Sequence, residues 1–586
     1  MPARIVRRES STLSKLNLAE RRDPSALVRA VFDARSEGCD PATDYTLSGL
    51  LPPSSLKGID AAVELLYRHL SRQRRLLIVG DFDADGATST ALLYRALRAM
   101  GARHIDYLVP NRFEFGYGLT PEIVECALNY KPDLIITVDN GISSVEGVAA
   151  AKACGIDVLV TDHHLAGAVL PAADAIVNPN QPGCAFKSKC LAGVGVIFYV
   201  LLALRAFLRE QGWFDALALP ETNMGQFLDL VALGTVADVV PLDFNNRILV
   251  AQGLQRIRAN ACCAGIQALL QIAGRDSTRV EAADFGFAIG PRLNAAGRLD
   301  DMTVGIQCLL SDSSAEALSI AQELDALNRE RRAIESSMKA DADNMLARLQ
   351  INSELGERNA ICLYQADWHQ GVVGIIASRI KDQLHRPALV FADAGDGVLK
   401  GSGRSIPGIH LRDALDEVAV RLPDVLSKFG GHAMAAGLSI KAEDFDRFER
   451  CLDDVIGAHL DESMKTRHIL SEGELLPEQF TLPHAQAVRD AGPWGQGFQE
   501  PIFDGRFRLL HQNLVGAKHL KMLLGLSEYS DEVVDAIAFG VDLEHWPNTQ
   551  VRYIKLAYRL NVNEFRGART VQLIVEHLEA VEGLND

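Results

Sequence analysis

Between residue 56 and about residue 310 the chain alternates short apolar runs with stretches of helical periodicity. The runs LLIVG (76–80), LIITV (134–138) and DVLV (157–160) are short and rich in Val and Ile. They are apolar throughout instead of alternating, as strands buried on both faces are, and the segments between them are long enough for crossover helices. The pattern predicts βαβ units and a parallel sheet covered on both faces. Val194 to Leu204 is the most apolar stretch. It is about half the ~20 residues that span a bilayer, so it predicts a buried helix and no membrane association.

Elsewhere the texture differs. Residues 1 to about 55 are polar and punctuated by Pro, with one helix-like segment, SALVRAVFDARSEG. Residues 313 to 350 read as one long helix. Ser313 and Glu316 make a capping-box pattern, and Leu324, Leu327, Ile334, Met338, Met345 and Leu349 recur at spacings of three, four or seven. Its polar face carries Arg329, Glu330, Arg331 and Arg332, so the helix can bridge two domains. Residues 355 to about 455 show a second α/β pattern, with ICLYQA, ALVFAD and then Gly-rich turns. From about 465 short runs follow (FRLL, LKMLLGL, VVDAIAFGV, VRYIKLAYRL, TVQLIVEHL), which predict a small β-barrel.

A chain of 586 residues is too long for one core, and roughly two to four domains are expected. With 48% hydrophobic and 23% charged residues the balance is that of a folded soluble protein. The formal net charge of −17 argues against a protein that coats nucleic acid by charge alone, and leaves room for an enzyme with a local basic channel. The ten cysteines form no CxxC pair and no zinc-finger spacing. Scattered cysteines in a large chain predict reduced, mostly buried thiols in a cytoplasmic protein. The start, MPARIVRRESSTLSKLN, lacks the apolar segment of a signal peptide.

The three Val/Ile-rich runs each end in metal-ligand residue types. LLIVG leads into Asp81, Asp83 and Asp85 (GDFDADG), LIITV into Asp139 (VDNG), and DVLV into Asp162, His163 and His164. In open parallel sheets ligands gather at the carboxyl ends of the strands, so these segments are expected to meet in one crevice. If the first strand continues through GDFDADG, alternate residues share a face and the three carboxylates converge. Held near 4 Å, each pair would cost about 4 kcal/mol at an effective dielectric of 20, a cost that bound cations remove. Mixed carboxylate and imidazole ligands suit Mn²⁺ or Mg²⁺. One Asp-rich turn alone would read as a solvated loop or helix cap; three at successive strand ends read as a metal site. Asp238, in VALGTVADVVPL, reads by itself as a helix-end residue.

GDFDADG, VDNG, TDHH and GTVADV, in that order, resemble the four motifs of the DHH phosphoesterase superfamily. GPRLNAAGR (290–298), WHQGVVGIIASRI (368–380), GSGRS (401–405) and GGHAMAAG (430–437) are similar to segments of the RecJ family, bacterial single-stranded-DNA-specific exonucleases. The resemblance covers about residues 40 to 580. It implies an α/β fold class: a parallel-sheet DHH domain (56–310) joined by a long helix (311–354) to a second α/β, DHHA1-type domain (355–460). An OB-fold β-barrel (461–586) follows, with residues 1–55 packing on the core.

The resemblance also implies roles. Asp83 and Asp139 would hold one of two ions, Mn²⁺ or Mg²⁺, with Asp81 nearby; Asp85, Asp139, His163 and Asp238 would hold the other. Asp139 would bridge them, His164 would face the scissile phosphate, and Asp162 would orient its loop. Arg112, Ser402 and Arg404 match a 5′-phosphate pocket, and Arg298 and His432 match backbone-phosphate contacts. Arg offers a planar fork of donors for phosphate oxygens, though GSGRS also reads as an ordinary turn, and GGH as a tight turn before a buried strand or helix. Trp368 and His369 suit base stacking or a core. Lys518, Lys521, Arg566 and Arg569 suit a DNA grip on the barrel or ordinary solvated charge. The expected reaction is 5′→3′ hydrolysis of single-stranded DNA to 5′-mononucleotides in repair and recombination, with duplex excluded by a narrow channel. Expected partners are a single-strand-binding protein and a helicase, around a monomer. The alternatives are a short-oligonucleotide or cyclic-dinucleotide phosphodiesterase of the same superfamily and a non-catalytic DNA-binding scaffold. The segment after about 465 favours long strands, and the full set of acidic ligands disfavours the scaffold.

Overall fold

The computed structural model of the chain describes residues 3–35, 45–110, 118–351, 358–426, 428–516, 518–527, 531–565 and 567–584. The chain forms two compact units, one of Ala42–Glu330 with Gly492–Glu500, the other of Met1–Pro41, Arg331–Ala491 and Pro501–Asp586.

The first unit is built on the predicted parallel sheet. LLIVG, LIITV and DVLV become the strands Leu76–Gly80, Leu134–Val138 and Asp157–Thr161, and they lie side by side. Two edge strands complete five: Ile105–Leu108 beside Leu76–Gly80, and Ala175–Val177 beside Asp157–Thr161. Sequence reading passes over both because IDYL is half polar and AIV is only three residues long. The chain leaves Leu76–Gly80 toward one edge and later returns on its other side. That reversal opens a crevice at the carboxyl ends of Leu76–Gly80 and Leu134–Val138, where open α/β sheets take their ligands. Behind it runs the helix Gly193–Glu210, whose first nine residues are all buried, as the apolar stretch predicts.

Gly492–Glu500, which precedes the barrel in sequence, joins this unit. Leu242 N–H donates to the Gln496 carbonyl at 2.7 Å, Trp494 stacks on Phe498, and Arg247 lies 3.9 Å over the Phe498 ring. Nothing in the local pattern GPWGQGFQE predicts that attachment. The helix Ser314–Ile351 carries the chain onward into the second unit. Only half of its predicted capping box forms: Ser313 Oγ accepts from Glu316 N, while the Glu316 carboxylate takes the Ser311 hydroxyl at 2.6 Å.

The second unit holds a five-stranded mixed sheet and a closed five-stranded barrel. In the sheet Ile361–Tyr364 and Ala388–Asp393 run parallel, and Val398–Arg404, Ala435–Lys441 and Lys428–Gly431 add antiparallel strands. GSGRS is therefore strand and not turn. Its glycines are there for packing: a Cβ on Gly403 would lie 2.7 Å from Leu411 Cδ2. GGH does close a tight turn, between Lys428–Gly431 and Ala435–Lys441. The barrel is made of Phe503–Val515, His519–Gly525, Val533–Ala538, Tyr553–Phe565 and Ala568–Val581. The N-terminal segment packs on this barrel. Ala3–Arg7 pairs with Arg467–Ser471, and Leu27, Ala30 and Val31 of the helix Pro24–Arg35 join the barrel core. Among the described residues nine cysteines are free, but only Cys308 and Cys362 are buried and Cys154 is exposed, so the thiols are less buried than expected. No helix among the described residues is long and apolar enough to cross a membrane.

Candidate active site

The strand Leu76–Gly80 stops before the acidic run. Asp83 is the N-cap of the helix Ala84–Ala99, and its Oδ1 accepts the N–H groups of Asp85 and Gly86, each at 3.0 Å. Asp81, Asp83 and Asp85 therefore converge through a strand–turn–helix corner, and not by alternation along a continued strand. The helix-cap and metal-ligand readings of Asp83 are compatible, because capping occupies one of its two oxygens. Asp85 sits in the first helical turn and is buried. Its Oδ2 accepts from Gly193 N–H at 2.6 Å and its Oδ1 from Val194 N–H at 2.9 Å. These donors belong to the buried first turn of the Gly193–Glu210 helix, whose N–H groups have no partner within the helix, a favourable place for an anion.

Asp139 follows Leu134–Val138 with φ +63°, in the left-handed region. Its neighbour Asn140 donates to Val79 and Val138 carbonyls, which ties this corner to the strand beside it. His163 Nε2 lies 3.1 Å from Asp139 Oδ1 and 3.5 Å from Asp238 Oδ2. Asp238 caps the carboxyl end of the helix Leu228–Ala237, so it is both a helix-end residue and a member of the cluster. Asp162 turns away from the crevice: its oxygens accept from Ile142 N, His163 N, His164 N and His164 Nδ1, the last at 2.7 Å. That set of bonds shapes the loop. His164 Nδ1 also lies 4.0 Å from Asp139 Oδ1, and its ring centroid is 4.5 Å from that of His163.

Three sets of side chains could each hold a cation: Asp81, Asp83 and Asp139; Asp85, His163 and Asp238; Asp139, His163 and His164. Within each, the ligand atoms lie within 4.8 Å of one another. Burial, then repulsion from neighbouring carboxylates, pushes the Asp85 carboxyl up to about 7 and lifts Asp139 and Asp238 well above the usual carboxylate range. Burial opposes a charged His164, but the Asp162 hydrogen bond and surrounding carboxylates outweigh it and raise that imidazole to about 9. Crowded oxygens of like charge, joined by imidazole nitrogen, fit divalent cations of the Mn²⁺ or Mg²⁺ kind.

Several supporting residues escape sequence reading. A Cβ on Gly193 would sit 2.7 Å from Asp139 Cβ, so only glycine lets this helix start reach both acids. Asn178 and Asn180 donate to the carbonyls of His164 and His163, at 2.9 and 2.6 Å. Asn294 Oδ1 accepts from Ala84 N–H at 2.8 Å, and Gly297 packs directly on the Phe82 carbonyl. The LNAAGR segment thus braces the GDFDADG corner. VNPNQPG and LNAAGR carried the available signal, since Asn beside Pro or Gly marks backbone-directed side chains.

The remaining predicted residues divide. Arg112 lies outside the described residues. Arg298 is in the last turn of the helix Gly290–Leu299. In the second unit Arg404 Nη1 donates to Ser402 Oγ at 3.1 Å, and a Cβ on Gly374 would lie 2.9 Å from that hydroxyl. Ser402 and Arg404 thus meet the first turn of the helix Val373–Leu384, an anion-binding combination; burial lowers the Arg404 guanidinium from its usual value. His432 lies in the hairpin beside that strand, where Ala435 pairs in register with Arg404. Trp368 is a core residue, packed with Met338, Leu346 and Ile376, so it does not stack on a base. His369 Nδ1 accepts from Gly371 N–H. On the barrel Lys521 lies 3.8 Å from Asp535 and Arg569 3.2 Å from Glu564, which partly neutralises both. Lys518 is exposed, and Arg566 lies outside the described residues.

A parallel α/β sheet whose strand ends gather carboxylates and imidazoles in one crevice defines the class as a DHH-type fold. The DHH family, N-terminal domain, matches residues 75–235; the DHHA1 domain matches 357–458, and the RecJ OB domain 471–577. The chain is 55% identical over 559 residues to the single-stranded-DNA-specific exonuclease RecJ of Dickeya dadantii, covering 94% of this chain and 96% of that one. It is 52% identical to the Salmonella typhimurium RecJ, covering 98% of each. Among solved structures, RecJ of Thermus thermophilus in complex with Mn²⁺ matches with a TM-score of 0.76 at 30% identity, over 97% of this chain and 79% of that one. The Mg²⁺ complex matches with a TM-score of 0.70 at 28% identity, over 97% and 78%. The chain belongs to the RecJ family.

Proposed function

We propose that this chain is a single-stranded-DNA-specific 5′→3′ exonuclease that releases 5′-mononucleotides with the help of two divalent ions, Mn²⁺ or Mg²⁺. The observation that carries the reading is the meeting of Asp81, Asp83, Asp85, Asp139, His163 and Asp238 in one crevice, as overlapping ligand sets. Asp81, Asp83 and Asp139 would hold one ion, and Asp85, Asp139, His163 and Asp238 the other. When bound, the ions supply an activated water and neutralise charge on the phosphate. His164 is held by the Asp162 carboxylate, which favours its charged form, and it offers Nε2–H to a phosphate oxygen or to the departing 3′-oxygen. Asp85 is oriented by the Gly193 and Val194 N–H groups before any ion arrives, so the site needs little reorganisation.

In the second unit Ser402, Arg404 and the start of Val373–Leu384 form an anion site suited to a terminal phosphate; the family resemblance assigns phosphate contacts to Arg112, Arg298 and His432 as well. Gripping a 5′-phosphate sets the direction of digestion. We read the chain as a DHH domain over 56–310, a connecting helix over 311–354, a DHHA1-type domain over 355–460 and an OB-fold over 461–586. A cytoplasmic monomer acting with a single-strand-binding protein and a helicase in repair and recombination accords with the family. The test is nucleotide release from 5′-labelled single-stranded DNA with Mn²⁺. Stepwise 5′-mononucleotides from single strands and not from duplex are expected; no release, or release from the 3′ end, overturns the reading.

A further inference from the structure

Phe287 is 79% exposed, the most exposed aromatic ring among the large hydrophobic residues described as exposed. It lies on a single π-turn, Phe285–Ile289, that runs straight into the helix Gly290–Leu299. Such turns are uncommon and cluster at functional sites. The residues around it are committed to packing: Phe285, Ala288 and Ile289 are buried. The glycine edge of the turn lies against the residues that precede Asp238, because a Cβ on Gly290 would be 3.2 Å from Ala237 Cβ and one on Gly286 3.9 Å from Val236 Cγ1. Pro291, Asn294 and Arg298 recur at spacings of three and four, which puts them along one side of the helix, and Phe287 stands on the π-turn that leads into it, four residues before Pro291. Asn294 fixes where that side faces, since its Oδ1 accepts the Ala84 N–H of the GDFDADG corner at 2.8 Å. At 1.5 Å per residue, Phe287 stands about 10 Å from Asn294 and about 16 Å from Arg298 along the helix.

An apolar ring, the corner of the ligand cluster and a guanidinium therefore lie in a row. That is the composition of a surface for single-stranded nucleic acid, which pairs base stacking with backbone charge and needs no sequence readout. We propose that Phe287 is a base-stacking residue that positions the substrate strand beside the ligand cluster. The proposal rests on the nuclease reading above. It adds a contact to a base, which an anion site and metal ligands do not supply. A duplex buries the faces of its bases, so this contact also favours single strands.

The test is an abasic scan. Affinity of the full chain for oligonucleotides that each lack one base, stepped from the 5′ end, is measured in EDTA so that no turnover intrudes. In the native protein, loss of the base at one position weakens binding roughly ten-fold, within the range of one stacking contact. In Phe287→Ala the intact oligonucleotide binds roughly ten-fold more weakly and that position no longer matters; Phe287→Tyr restores both. With Mn²⁺ the Ala variant raises KM and leaves kcat at saturating DNA close to native. An Ala variant with native affinity, or one with an unchanged abasic profile, overturns the proposal. A native protein that neither binds single strands nor releases nucleotides with Mn²⁺ overturns the nuclease reading itself, and this inference with it.

Discussion

Asp139 carries two burdens that other acids of the cluster do not share. It belongs to two of the three possible ligand sets, and its backbone lies at φ +63°. A non-glycine residue held there costs roughly 1–3 kcal/mol and persists only where the surroundings fix it. Here the fixing groups are Asn140, bonded to two strand carbonyls, and Gly193, whose missing side chain makes room. Asn tolerates the left-handed region, so Asp139→Asn separates charge from fold. Its thermal midpoint without metal is expected to match or exceed the native one, while Mn²⁺-dependent turnover falls at least about a thousandfold. Near-normal turnover would reject the bridging role. Residues of this kind were legible by type and not by surroundings. Asp81, Asp83, Asp85, Asp139, His163 and His164 follow recognisable strand ends, whereas Asp238 alone reads as a helix end and needed the family resemblance. Gly193, Asn178, Asn180 and Asn294 act through backbone atoms far away in sequence, which no local pattern encodes.

At the scale of elements, the strand ends and helix starts do the positioning. Leu76–Gly80 and Leu134–Val138 were legible because fully buried strands read as unbroken apolar runs. GSGRS was ambiguous because its glycines serve close packing, Gly401 against Phe391 and Gly403 against Leu411, and glycine signals turns more often than packing. As a strand, Val398–Arg404 delivers Ser402 and Arg404 to the start of the helix Val373–Leu384, where the anion site is proposed. Arg404→Ala should therefore reduce the preference for 5′-phosphorylated over 5′-hydroxyl ends by about 10-fold or more, as removal of a charge-assisted contact does. Competition between the two oligonucleotides measures it, and an unchanged preference would remove Arg404 from the pocket. The edge strands Ile105–Leu108 and Ala175–Val177 stayed hidden because short, half-polar strands carry little period.

Over the whole molecule, the ligand cluster makes stability depend on pH and metal together. The Asp85 carboxyl titrates at about 7 in the folded chain against 3.8 as its ordinary value. The folded state therefore holds that proton better, and its contribution to stability is lost as pH rises from about 4 to about 7. His164, raised from 6.5 to about 9, adds a loss in the same direction above about 6.5. With EDTA the thermal midpoint should fall between about pH 5 and pH 7.5 through these groups, and excess Mn²⁺ should raise it more at the higher pH, where bound cations displace fewer protons. A metal-induced rise no larger at pH 7.5 than at pH 5 would contradict this electrostatic account. The succession of α/β pattern, long helix, α/β pattern and barrel was legible from texture alone. The return of Gly492–Glu500 to the first unit was not, because it depends on a chain-distant contact with Leu242.

The most direct measurement is an anomalous-difference map at the manganese edge from crystals grown with Mn²⁺. Two peaks are expected in the crevice, sharing the Asp139 carboxylate, with His163 and Asp238 on one of them. An empty crevice under saturating Mn²⁺, or peaks bound elsewhere while Asp139 stays clear of metal, would contradict the account at its centre.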